Sequence, residues 1–99
     1  MKTIDTVIRH TTPVGGNVFT DIGFEPHEAA KLKIKAQLMC EISEWIKDNQ
    51  LKQVEAAKRL HVTRPRVSDV ITGKANKFTI DALVDMLQLT GQEVSLRVI

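Results

Sequence analysis

The sequence predicts an all-α protein: a compact bundle of four to five helices, with a flexible N-terminal arm and a short C-terminal β-strand. Three observations carry this expectation. Apolar residues recur at helical spacing from Leu38 to Ile46 and again from Ile80 to Leu87. Between them, Gln53 to Gly73 reads as two short amphipathic helices joined by a tight turn. The tail Glu93 to Ile99 alternates polar and apolar residues with the period of a strand.

The arm spans residues 1–24. Thr3 to Arg9 favours a weak strand, while Pro13, Gly15 and Gly16 break regular structure and predict mobility. Val18, Phe19, Ile22 and Phe24 follow, apolar but ahead of any regular element. They either cover the protein's own core or dock on a partner protein and order as it binds.

The helical domain is expected over residues 25–91. Its first helix begins near Pro26, which suits a first turn, with Glu28 at the positive end of the dipole. It runs to about Asp48, and Leu38, Ile42, Trp45 and Ile46 make its core stripe. Lys31 to Lys35 alternates as a strand would, but length and the lack of Gly or Pro decide for helix. Asn49 is the expected left-handed stop.

In the next pair of helices Ala56, Ala57 and Leu60 form one apolar face and Val67, Val70 and Ile71 the other. Small Ala57 permits the close crossing of two helices, with Val67 as the opposing plug. His61 falls at the turn, where the backbone takes positive φ and Gly is preferred. This pattern is a helix-turn-helix, whose second helix is built to enter a major groove. Gly73 to Phe78 follows as a basic loop, and Thr79 caps a last helix whose buried face is Ile80, Leu83, Val84 and Leu87, ended by Gly91.

Residues 92–99 form the strand, and a lone strand leaves its backbone groups unpaired. Its partner is the N-terminal arm, the same strand of a second subunit, or another protein; Val94, Leu96 and Val98 are its candidate contact residues. Twofold pairing would suit a homodimer on a palindromic site.

Composition narrows the function classes. The chain has 99 residues, 42% of them hydrophobic and 26% charged, which suits one domain with short arms. No apolar run approaches the roughly 20 residues of a membrane span, and no signal-peptide stretch opens the chain, so a cytoplasmic protein is expected. Cys40, expected to be buried on the long helix, is the sole cysteine, and His10, His27 and His61 lie far apart. No metal site or cofactor is therefore expected. Nor is an enzyme, since no nucleophile–base pair, phosphate-cradling Gly loop or spaced carboxylate cluster occurs.

Net charge is only +2, but it is unevenly spread. Leu51 to Phe78 holds Lys52, Lys58, Arg59, Arg64, Arg66, Lys74 and Lys77 against Glu55 and Asp69. A basic motif on an acidic body is the footprint of a face that meets DNA. Thr63 is the expected cap of the second helix, which places Arg64 and Arg66 in the first turn as candidate base contacts, most naturally to guanine. Ser68 shares that face, and Asp69 either reaches a base or restrains an arginine. Lys52 and Gln53, beside free helix amides, and Lys74 and Lys77 in the loop are candidates for phosphate.

Leu51 to Gly91 resembles the phage-repressor-like (XRE) helix-turn-helix family, through Gln53, Ala57, Val62-Thr63 and Arg66-Val67-Ser68. The wider chain is similar to its HigA-type antitoxin branch, through Asn17-Val18-Phe19, Gly23-Phe24, Pro65-Arg66-Val67-Ser68-Asp69 and the Gly73-Lys74 that follows. The resemblance implies a repressor that neutralises a toxin similar to RelE-type ribosome-dependent mRNA nucleases and represses their shared operon. Three residues depart from the pattern: Lys52 where Ser or Thr would cap, His61 for Gly, and Arg64 for the common Gln. A stand-alone phage or chromosomal regulator, and a protein-interaction adaptor that has lost DNA binding, are the alternatives.

Overall fold

A computed structural model describes residues 3–8 and 26–98. Strand β1 (Thr3–Ile8) precedes four α-helices, α1 (Pro26–Asp48), α2 (Gln53–Leu60), α3 (Arg64–Ile71) and α4 (Ile80–Leu89). A 3-10 turn at Ala75–Lys77 links α3 to α4, and strand β2 (Glu93–Val98) closes the chain. Expectations for residues 9–24, including Val18, Phe19 and Phe24, lie outside the described residues.

Helix α1 is the spine of the bundle, and its alternating segment at Lys31 to Lys35 is helical. Leu38, Met39, Ile42 and Ile46 are buried along one side. Cys40 lies two residues from both Leu38 and Ile42, about 200° around the helix, and is exposed rather than buried as expected. The stripe packs against Ala56, Ala57 and Leu60 of α2, Val67 and Val70 of α3, Phe78, and Leu83, Met86 and Leu87 of α4. Trp45, Ile80 and Val84 pack at its margin.

Ile71 departs from expectation, being 44% exposed. Val67 and Val70 centre the buried face, and Ile71, about 70° around the helix from that centre, falls at its edge. Phe78 is the reverse case, a loop residue that is buried.

Packing, not propensity, holds the short helices. Eight-residue helices such as α2 and α3 do not persist alone in water. Each buried Val, Leu or Met side chain contributes about 1.5–3 kcal/mol, against about 1 kcal/mol for a good cap.

A left-handed residue follows each of the four helices, Gly91 (φ 83°) ending α4 as expected, and at the other three it begins a backbone closure. Gln50 (φ 52°) ends α1, one residue beyond the expected Asn49, whose amide instead donates to the Trp45 carbonyl at 2.8 Å. His61 (φ 56°) ends α2 and Gly73 (φ 76°) follows α3. In each the next amide reaches back to the helix: Leu51 N to Ile46 O at 3.0 Å, Val62 N to Ala57 O at 3.0 Å, and Lys74 N to Asp69 O at 3.0 Å. Such closures satisfy carbonyls that a helix end would leave open.

The tail finds its partner within the chain. β2 pairs in parallel with β1, from Thr3 opposite Glu93 to Ile8 opposite Val98. Parallel neighbours need a long crossover, and the whole helical body supplies it. An isolated strand pair is marginal in water, so docking matters. Val94 packs on the core, while Leu96 stays 48% exposed.

Candidate nucleic-acid interface

Helix α2 starts without a side-chain cap, because the ammonium of Lys52 has no acceptor to offer. Only the return half of a capping box forms: the Lys52 amide donates to Glu55 Oε1 at 3.1 Å. Lys52 is exposed and Gln53 partly so, at the helix end where amides point outward. Ala57 is buried where α2 meets α3.

The turn to α3 is three residues long. Thr63 is the N-cap, but its hydroxyl makes no capping bond. Its carbonyl accepts the Arg66 and Val67 amides at 3.1 and 3.2 Å. Pro65 fits the first turn, where an amide hydrogen has no helical acceptor.

With Val67 and Val70 turned inward, the opposite side of α3 presents Arg64, Pro65 and Thr72, with Ser68 partly exposed among them. Arg64 makes no hydrogen bond or ion pair with any described residue. The Thr72 hydroxyl donates to the Ser68 carbonyl at 2.8 Å, securing the end of the helix.

Arg66, two residues further on, is engaged within the chain. Its guanidinium carbon stands 4.2 Å from the centre of the Phe78 ring. One of its nitrogens donates to the Lys77 carbonyl at 2.9 Å. Asp69, on the same side of α3, approaches Lys74 Nζ at 3.7 Å and Lys77 Nζ at 3.8 Å. It therefore stands by two lysines, not by an arginine.

The two sets differ in strength. An arginine over an aromatic ring contributes about 0.5–2 kcal/mol, more as it is desolvated. The lysine side chains are 52% and 50% exposed, so each surface pair is worth about 0–1 kcal/mol. The loop backbone is thus held, while its ammonium groups remain available to phosphate.

At the far end of the loop, Thr79 Oγ1 accepts the Ala82 amide at 3.1 Å, the expected cap of α4. The sequence reading missed Phe78 and its pairing with Arg66. A lone aromatic between a basic loop and a helix cap was the available signal. Among the described residues, no group of three or more His, Cys, Asp or Glu side chains could hold a metal ion. No described helix is long and apolar enough to cross a membrane.

A short helix, a left-handed turn and a second helix with its first turn in solvent define a helix-turn-helix. The chain belongs to the helix-turn-helix domain family, whose model matches residues 18–99. It is also similar to a solved structure described as that of an XRE-family transcriptional regulator, at 28% identity and a TM-score of 0.66. That match covers 69% of this chain and 76% of the other. No curated protein matches the chain.

Proposed function

We propose that the protein is a sequence-specific DNA-binding transcriptional repressor that acts as a homodimer on a palindromic operator. The observation that carries this reading is Arg64: an exposed arginine without a partner among the described residues, in the first turn of the outward-facing helix of a helix-turn-helix. A guanidinium so placed suits bidentate contact with guanine, worth about 1–3 kcal/mol of discrimination. Ser68 lies beside it, and Lys52, Gln53, Thr63, Lys74 and Lys77 flank it as phosphate contacts. The likeness to an XRE-family transcriptional regulator supports the same reading. So does the basic stretch Leu51 to Phe78, set in an otherwise acidic chain.

The finer assignment is an antitoxin of the HigA type, working in the bacterial cytoplasm, that neutralises a RelE-like toxin and represses their shared operon. Its support is the run Pro65 to Asp69 with the flanking motifs named above. The two outer edges of the β1–β2 pair, with exposed Leu96, provide a surface for a second subunit or the toxin.

Selection from a pool of randomised duplexes tests the first part. Enrichment of one symmetric motif supports it, and a recovered pool as random as the input contradicts it. For the second part, the neighbouring reading frame is expressed alone and together with this chain. Growth arrest that this chain relieves supports the antitoxin assignment; no arrest, or arrest without relief, leaves a stand-alone regulator.

A further inference from the structure

We propose that Arg66 and Asp69 form a two-sided latch that fixes the loop bearing Lys74 and Lys77 against α3, which makes Arg66 a positioning residue for phosphate contacts and not a reader of bases. This deepens the DNA-binding reading and rests on it.

The latch has a fixed side and a loose side. Phe78 is only 3% exposed and belongs to the core, so its ring is a rigid reference for the guanidinium 4.2 Å above it. From that position Arg66 also holds the Lys77 carbonyl at 2.9 Å. The loop's own bonds, Lys77 N to Lys74 O at 3.1 Å and Phe78 N to Ala75 O at 3.2 Å, carry this fixation along the chain. Asp69 is three residues from Arg66, hence on the same side of the helix, and its carboxylate is 15% exposed. It gathers the two ammonium groups at 3.7 and 3.8 Å.

Two consequences follow for binding. To reach a base edge, Arg66 would have to leave both the ring and the carbonyl, whereas Arg64 has no such engagement to break. Lysines ordered before DNA arrives lose less freedom on binding, so the latch strengthens contact with any duplex alike. Asp69 also neutralises one of the two positive charges until phosphates replace it.

A double-mutant cycle read by DNA affinity separates positioning from base reading. Arg66→Gln is measured alone and in a Lys74→Ala, Lys77→Ala background, on selected and scrambled duplexes over a salt series. The latch predicts about tenfold weaker binding to both duplexes, with their ratio kept within about twofold. It predicts a salt slope reduced by up to about 1.8, as for two lost phosphate contacts at about 0.9 each, and little further loss in the lysine-free background. A collapsed ratio, losses that simply add, or unchanged affinity would overturn it.

Side-chain NMR of the wild-type chain needs no variant. The Arg66 δ-protons should be shifted upfield by the Phe78 ring in the free protein and remain so on the selected duplex. Return to ordinary positions on that duplex, or no shift in the free protein, overturns the latch. A chain that prefers no duplex defeats the DNA reading instead; the free-protein spectrum judges the latch separately.

Discussion

The connections before and after α3 are held by different means. The first, residues 61–63, is closed by the backbone of its own helix, with His61 in the left-handed conformation and Val62 N bonded to Ala57 O. The second, residues 72–79, starts with a similar backbone closure at Gly73 but is then tied down by side chains of α3 reaching Lys74, Lys77 and Phe78. The first fixes how the two helices cross. The second fixes what charge stands beside the reading helix.

Substitutions can break this contrast, and the largest effect belongs to the second connection. Phe78→Ala removes a buried ring and the platform under Arg66, and should destabilise the fold by about 3–5 kcal/mol in urea unfolding. Next come the two threonine caps, which differ in one hydrogen bond. Thr79→Ala loses the bond to the Ala82 amide and should cost about 1 kcal/mol. Thr63→Ala loses none, and its unfolding free energy should stay within about 0.5 kcal/mol of the parent. Equal losses at both would show that Thr63 caps α3 in solution. One change should instead strengthen the first connection: His61→Gly relieves a left-handed residue with a side chain and should stabilise by about 0.5–1 kcal/mol. A loss there would mean that the imidazole makes a contact of its own.

The same contrast separates what could be read in the sequence from what could not. The helix-turn-helix and the helix after it were legible because their signals are local: Ala57 at a crossing, His61 at a positive-φ turn, and Thr79 before the apolar stripe of α4. The β-strand at Glu93 to Val98 was equally plain from its alternation. Its partner was not, because strand pairing joins residues about ninety positions apart and single-sequence periodicity says nothing of register. Ile71 and Cys40 show a simpler limit: Ile71 falls just outside its apolar stripe, and Cys40, a small apolar residue, lies on the far side of α1 from Leu38 and Ile42. Arg66 shows the limit for the candidate interface. Arg64 and Arg66 look alike in sequence, and only the position of Phe78, twelve residues on from Arg66, distinguishes them.

The central claim is that Arg64 reads a base from the first turn of α3. Fluorescence anisotropy of the wild type and Arg64→Ala tests it most directly, with a duplex from just upstream of the protein's own gene, its scrambled counterpart and a salt series. The account predicts that the wild type prefers the upstream duplex and that Arg64→Ala, still folded, loses about 1–3 kcal/mol of that preference. A wild type that binds both duplexes equally, or a variant that keeps the full preference, would contradict it.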